Sequence, residues 1–352
     1  MRALYVPGPS YYDQQVKDYA GWWNILEYQR QALELAGYEV DMYVPETDVL
    51  PSSPSFAKIA AYSMAVAMMS KDVAYDIVVG PCSYAYLPFL FHRESKCISY
   101  VWNNTQEYRN RVLEPEYKTF NWTYDHSISG KQIEEFTYAL SDRIIACSPF
   151  VAKTWQELDV NKDIQIAPWG VDSNMFCSGK KDERFTVVFI GGDPVRKGFG
   201  YLLEACDRLN NEGKQVDLIV IGFNGNFPQE WIKNLGMTLH KSVPSIINKC
   251  HILVCPTLED GIACCVQEAM ASGVIPISTE DASEVFMHDI FLQGAKPAGF
   301  QVDVKNIDVL YQIIDRLREN QDGLPELASH CRQVAETQTW DNFIKAFAEA
   351  VK

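Results

Sequence analysis

Residues 255–278 read Cys255-Pro-Thr-Leu-Glu-Asp-Gly-Ile-Ala-Cys-Cys-Val-Gln-Glu-Ala-Met-Ala-Ser-Gly-Val-Ile-Pro-Ile-Ser278. An apolar run from Ile252 to Cys255 leads into an acidic-glycine loop at Glu259, Asp260 and Gly261. An amphipathic stretch then continues to Ala271, Gly273 stops it, and a second apolar run covers Val274 to Ile277. That order predicts a βαβ unit whose loop opens onto a helix amino terminus. Such a terminus presents unpaired backbone N–H groups and a partial positive charge, which favour an anion such as a phosphate. Two carboxylates flank the spot, Asp260 in the loop and Glu268 eight residues further along the helix. Acids beside a phosphate site commonly read hydroxyl groups. The alternative is an Asp favoured by the helix dipole and a solvated Glu.

Apolar runs and helical patterns alternate along the whole chain, which argues for parallel sheets covered by helices on both faces. In the first half strands are expected at Arg2–Val6, Glu39–Val44, Asp76–Val79, Cys97–Val101, Arg143–Ala146 and Gln165–Ala167. In the second half they are expected at Phe185–Ile190, Asp217–Ile221, Ile252–Cys255, Ile275–Ile277 and Gly299–Val302. A helix is expected from about Trp23 to Leu35, stopped by Gly37, and a packed helix over Phe56 to Met69. Ser148-Pro149 predicts a helix start, because Ser can cap free N–H groups and Pro tolerates the first helical position. Pro and Gly in Ala167-Pro-Trp-Gly-Val-Asp172 interrupt the pattern and mark a boundary.

The second anion candidate is Ile190-Gly-Gly-Asp-Pro-Val-Arg-Lys-Gly198, between a strand and a helix expected over Tyr201–Leu209. Glycines such as Gly192 let backbone approach a phosphate, and the adjacent Arg196 and Lys197 can neutralise a diphosphate as its charge develops. The alternative is a surface loop with two solvated cations. No G-x-G-x-x-G follows the first strand, which argues against a dehydrogenase.

At 352 residues the chain is long enough for two domains, and 47 % hydrophobic with 22 % charged residues describes a globular protein. The net charge is −15: 14 basic against 21 acidic residues give −7 over 1–168, and 17 against 25 give −8 over the rest. No run of more than two Lys or Arg occurs, which disfavours nucleic acid and anionic lipid as partners. The ten cysteines are scattered with no C-x-x-C pair, as expected of reduced, buried thiols in a cytoplasmic protein. The opening Met1-Arg-Ala-Leu-Tyr-Val-Pro-Gly8 is too short an apolar run for a signal peptide, and Phe56–Met69 falls short of a bilayer span. No membrane insertion is expected. The six histidines, at 92, 126, 240, 251, 288 and 330, lack zinc-site spacing and no Asp-x-Asp occurs, so no metal is expected and each His is read as structural or surface.

The quoted stretch resembles the donor-binding motif of retaining glycosyltransferases of the GT-B fold, especially family 4 (glycosyl transferases group 1). That family reads Pro-Ser-x-x-Glu-Gly-Phe-Gly and then Glu-Ala-Met-Ala-x-Gly-x-Pro, with its two acids spaced Glu-x7-Glu. Glu268 matches the second acid, and Asp260 stands at the first, one methylene shorter. Ser141-Asp-Arg-Ile-Ile-Ala-Cys-Ser148 and Ala167-Pro-Trp-Gly-Val-Asp-Ser-Asn-Met-Phe176 are similar to the stretches that lead from the family's first domain into its second. Thr339 to Ala350 resembles its terminal helix, which returns to the first domain.

The resemblance implies an α/β fold of GT-B type, two Rossmann-like domains facing across a cleft. The first covers 1–168 with the terminal helix 338–352, on the acceptor side, and the second, 169–337, binds the donor. It implies a hexosyltransferase that moves a sugar with retention from a nucleoside-diphosphate sugar to a hydroxyl acceptor. Neither metal nor other cofactor is needed. Arg196 and Lys197 would take the diphosphate, the backbone of Gly261, Ile262 and Ala263 the phosphate or sugar, Glu268 the ribose and Asp260 the donor sugar. Asp260, Arg196 and Lys197 would carry the chemistry. On the acceptor or sugar side stand Gly21, where the family has a glycine pair, and the aromatics Tyr11, Tyr12, Trp22, Trp23, Trp102, Tyr108, Trp122 and Tyr124, whose faces suit a sugar. Asn103 and Asn104 occupy a strand end where relatives place a sugar-contacting His. A sugar-nucleotide phosphorylase or epimerase, or a binding protein without turnover, would use the same residues. A nucleic-acid acceptor is disfavoured by the −7 of the first domain, and no feature sets the oligomeric state.

Overall fold

The computed structural model describes residues 1–8, 18–19, 24–45, 56–120, 124, 128–282, 298–303 and 305–352. Gly21, Trp22, Tyr11, Tyr12, Trp23, Trp122, His126 and His288 lie outside them.

The chain divides into two compact units, one of Met1–Arg111, Asp125–Trp169 and Asp341–Lys352, the other of Val112–Tyr124 and Gly170–Trp340. In the first unit the elements run β1 (Arg2–Tyr5), α1 (Asn24–Leu35), β2 (Glu39–Met42), α2 (Phe56–Ser70), β3 (Ile77–Pro81), α3 (Tyr86–Phe91), β4 (Lys96–Val101), α4 (Gln106–Thr119), α5 (Ile128–Leu140), β5 (Arg143–Ala146), α6 (Pro149–Gln156) and β6 (Asp163–Ile166). The end of α4 belongs to the second unit, where the sequence suggested no such excursion. The six strands form a parallel sheet in the order β2-β1-β3-β4-β5-β6. Helix α6 begins as its sequence requires: Ser148 Oγ accepts from Val151 N–H at 3.2 Å and Pro149 takes the first helical position. On one face of this sheet Leu4, Val6, Val78 and Cys97 pack with Tyr62 and Val66 of α2 and Phe89 of α3.

The second unit runs β7 (Thr186–Ile190), α7 (Phe199–Asn211), β8 (Asp217–Ile221), β9 (Ile232–Asn234), α8 (Val243–Ile247), β10 (Ile252–Cys255), α9 (Cys264–Ala271), β11 (Ile275–Ser278), β12 (Phe300–Gln301), α10 (Ile307–Glu319) and α11 (Leu324–Thr337). Its strands form a second parallel sheet, β12-β11-β10-β7-β8-β9. Val187, Val188, Leu253, Val254, Ile275 and Ile277 are fully buried, because a parallel strand covered on both faces is apolar throughout. The last helix, α12 (Trp340–Val351), belongs to the first unit, where Arg143 donates to Ala350 O at 2.7 Å.

All ten cysteines are free thiols; Cys177 is exposed and Cys264 half-buried, which corrects the expectation that the set is buried. Among the described residues no helix is long and apolar enough to cross a membrane.

Candidate nucleotide-sugar site

The strand order of the second sheet decides where a ligand can sit. From β7 the chain steps outward through β8 to β9, and from β10 it steps the other way through β11 to β12. The sheet therefore reverses between β7 and β10, which pair through Val187 with Ile252 and Val188 with Leu253. Loops leaving neighbouring strands in opposite directions open a crevice at their carboxyl ends, the usual ligand position in open α/β sheets. The two loops that leave there are 191–198 and 256–263, the two anion candidates of the sequence.

Each loop is shaped for the other. Asp193 Oδ1 accepts Arg196 N–H at 3.0 Å and closes a tight turn, and its other oxygen accepts from Tyr117 Oη. The Arg196 carbonyl then accepts Leu258 N–H at 2.8 Å and the Thr257 hydroxyl at 3.2 Å, tying one loop to the other. Gly198 has φ +68°, and a Cβ there would lie 2.0 Å from Pro256 O, so only glycine lets α7 start this close to the second loop. At Gly191 a Cβ would meet the Lys197 stem at 2.8 Å, whereas at Gly192 it would find only an ordinary contact, 3.6 Å from Gly222 O.

This folding brings Arg196, Lys197 and Asp260 together. Lys197 Nζ donates to Asp260 Oδ2, Gly261 N–H donates to Oδ1 at 3.1 Å, and Arg196 Nη1 stands 3.6 Å from Oδ1. Arg196 Nη1 also donates to Glu259 O at 3.0 Å and lies 3.5 Å from the buried Glu259 carboxylate. Burial pushes the Asp260 carboxyl up, but Lys197, Arg196 and the Gly261 N–H together outweigh it and hold the group below its ordinary range. Burial likewise works against charge on Lys197 and Arg196, and there Asp260 outweighs it and raises both. The charged forms of all three are thus favoured, two cations against one carboxylate.

Helix α9 follows, and no side chain caps it: Ala263 at the N-cap is extended and offers none. Ile262 and Ala263 are buried beside this end, with Gly261 before them. One turn into the helix Glu268, 7 % exposed, accepts from His240 Nε2 at 2.7 Å through Oε1. Burial lowers the pKa of His240, but the hydrogen bond and charge of Glu268 outweigh it and raise it. His240 also packs against the Phe176 ring, centroids 5.5 Å apart. The structure thus adds His240 to the site. No sequence signal marks it, since it lies 28 residues before Glu268 on a short 3-10 turn. Among the described residues no group of three or more His, Cys, Asp or Glu is placed to hold a metal ion.

Residues 184–320 match the family model described as glycosyl transferases group 1. Solved structures with the same fold include sucrose-phosphate synthase from Thermosynechococcus elongatus, at TM-score 0.75 and 14 % identity over 98 % of this chain and 96 % of that one. Another is HepE of Anabaena in complex with UDP-glucose, at 0.64 and 14 % over 100 % and 99 %. A third is a glycosyltransferase from Rickettsia africae, at 0.65 and 14 % over 100 % and 98 %. No curated protein matches. The second unit is a group 1 glycosyltransferase domain, and the chain has the GT-B fold.

Of the acceptor-side candidates, Trp102, Asn103 and Asn104 follow β4. Trp102 is half-buried, stacked on Tyr100 at 5.2 Å and edge-on to Trp169 at 6.1 Å. Asn103 is exposed, and its carbonyl accepts Trp155 Nε1–H at 2.9 Å. Asn104 is 1 % exposed and accepts the Thr154 hydroxyl at 3.4 Å, so it braces α6. Only Asn103 of the pair stands open to a ligand. Tyr108 is edge-on to Phe150 and Tyr124 tilted against Tyr117, at 5.6 and 5.1 Å.

Proposed function

We propose that the glycosyltransferase transfers a sugar from a nucleoside-diphosphate sugar to a hydroxyl acceptor with retention and without a metal ion. The observation that carries this reading is the Arg196–Lys197–Asp260 cluster at the reversal of the second sheet, beside an uncapped helix end. Asp260 engages both cations. A donor diphosphate would replace it there, with Arg196 and Lys197 donating to phosphoryl oxygens and the Gly261–Ala263 backbone adding N–H groups. Asp260, released, would then accept from a sugar hydroxyl. Glu268 Oε1 is held by His240, which leaves Oε2 for the ribose.

No protein nucleophile is invoked. The bond from the sugar's anomeric carbon to the diphosphate oxygen breaks, and the acceptor oxygen bonds to that carbon on the same face. The acceptor proton passes to the departing phosphate oxygen. The protein contributes positioning and stabilisation of the leaving charge. UDP-glucose is the first donor to test, because HepE of the same fold was solved with it. The polar groups of the site already satisfy one another, and this favours, as second reading, a binding protein without turnover.

A thermal-shift series with UDP, GDP, ADP, CMP and their sugars, with and without magnesium, is the deciding experiment. One diphosphate and its sugar should raise Tm without magnesium, and the shift should vanish in Glu268→Ala and Lys197→Ala. Incubation with donor and a hydroxyl acceptor should then release nucleotide and form an α-linked product from an α-linked donor. Binding without release would establish the second reading; no shift with any nucleotide would sink both.

A further inference from the structure

The second unit has another cavity, at the amino-terminal edge of the same sheet. It holds about 460 Å³, the size of a small-molecule site, and is bordered by Lys181, His251, Ile275, Leu324, Ala328 and Arg332. His251 precedes β10 and Ile275 opens β11, whereas the nucleotide-sugar loops follow the carboxyl ends of β7 and β10. The two sites are therefore at opposite ends of the strands.

Its chemistry is one-sided. Among the described residues no Asp or Glu borders the cavity. Lys181 is half-buried; among the described residues it makes no ion pair, and its one hydrogen bond there, to Ser272 O, is 3.5 Å long. Burial holds its ammonium down at about 8, with the Cys250 thiol opposing weakly. A partly buried cation without a carboxylate is costly unless something pairs with it. His251 accepts Thr186 N–H at Nδ1 at 3.1 Å, so its proton is on Nε2 and it too is a donor; burial keeps it neutral. Arg332 is already engaged, by Ala271 O, by Phe176 O at 3.3 Å and by Glu336 at 2.8 Å. Ser178, Gln321 and Ser329 add neutral polar groups, and Ile275, Leu324, Pro325 and Ala328 form the apolar part of the wall.

We propose that this cavity is a second ligand site that binds a small amphiphilic carboxylate, its anion on Lys181 and its apolar body against Ile275, Leu324 and Ala328. Inorganic phosphate has the charge without the apolar body, and a neutral alcohol the body without the charge. Lys181 and Arg332 both hold carbonyls at the end of α9, the helix that carries Glu268. The ligand would thus touch a helix shared with the nucleotide-sugar site without entering that site.

Calorimetric titration of the full chain with octanoate, 1-octanol and inorganic phosphate tests this. Octanoate should bind saturably at one site, at least about 10-fold more tightly than octanol, and phosphate not at all. Lys181→Met should weaken octanoate about 10-fold or more, the value of one charge-assisted hydrogen bond, and leave octanol unchanged. Ala328→Phe, which keeps the cation and fills the cavity, should abolish both. Circular dichroism and Tm verify that each variant is folded, so the outcome does not depend on nucleotide binding. Equal octanoate affinity in Lys181→Met, tighter phosphate than octanoate, or binding that survives Ala328→Phe would each overturn the proposal.

Discussion

The two six-stranded sheets follow one rule with different chemistry. In the first unit the strand order reverses between β1 and β3, after a single outward step to β2; in the second it reverses between β7 and β10, after two. Both reversals open a crevice at the carboxyl ends of strands. At the first, the described residues are small and aromatic: Gly8, with φ +86°, stands against the Tyr84 ring, and Gly80 has no room for a Cβ between Val6 and Ala85. At the second, two cations, three carboxylates and an uncapped helix meet. Topology makes both crevices, and only the loop residues decide that one of them is suited to an anion.

The strongest way to break this contrast is to remove the cation. Lys197→Ala should lower kcat/KM about 100-fold or more, the scale of one charge-assisted donor to a developing oxyanion. It should also lower Tm, because Asp260 loses the partner that offsets its burial. Ser83→Ala, at the crevice of the first sheet, should leave nucleotide binding within about twofold. If the two variants bound a diphosphate equally well, the asymmetry between the sheets would have no functional meaning.

Next in size is a backbone comparison. Gly198 and Gly8 both have positive φ, but a Cβ at Gly198 would strike Pro256 O at 2.0 Å, while at Gly8 it would touch Tyr84 at 3.6 Å. Gly198→Ala should therefore cost about 3 kcal/mol or more, strain plus displacement of the second loop, and Gly8→Ala about 1 kcal/mol, strain alone. Denaturant unfolding of both measures the difference. Equal losses would mean that the close approach of the two loops at Gly198 adds nothing.

Asp260 gives a smaller effect of opposite sign on binding and turnover. Asp260→Asn removes the competitor for Lys197 and Arg196, so diphosphate affinity should rise by roughly 5-fold, about 1 kcal/mol. Turnover should fall, since the freed carboxylate is the group assigned to the sugar. Titration with the diphosphate and a turnover assay separate the two. Weaker diphosphate binding would show that Asp260 supports the cations instead of competing with the ligand.

These residues also show what could be read before folding. The two loops were legible because glycines, adjacent cations and an acid at a strand end are local features, as was the Ser148–Pro149 helix start. Strand β9 was not, since Ile-Lys-Asn has neither length nor apolar alternation. The pairing of Lys197 with Asp260 was not either: residues 63 apart, both expected to face a ligand, are joined only by the strand order. The same holds for Val112–Tyr124, which join the second unit through Tyr117 on Asp193 and Glu116, which accepts from Tyr201 at 2.6 Å.

The smallest expected effect is a difference in pH dependence between one histidine of each unit. In the second unit His240 has its pKa raised, Glu268 outweighing burial. Its stabilisation is fully present below the unfolded value of about 6.5 and is lost as pH rises through the raised folded value. In the first unit His92, with Ser70 Oγ at 2.9 Å, has its pKa lowered by burial. The unfolded chain then takes up the proton first, so His92 costs stability as pH falls from about 6.5 to its lowered folded value. Glu268→Gln should therefore cost more at pH 6 than at pH 8, by about 1 kcal/mol for a partner pair with side chains 20 % and 9 % exposed. His92→Gln, which cannot titrate, should compare better with the parent at pH 5.5 than at pH 8. Denaturant unfolding across that range reads both slopes. Parallel slopes would mean that the Glu268 pairing does not set the charge of His240, and the ribose contact would then have to be reassigned with it.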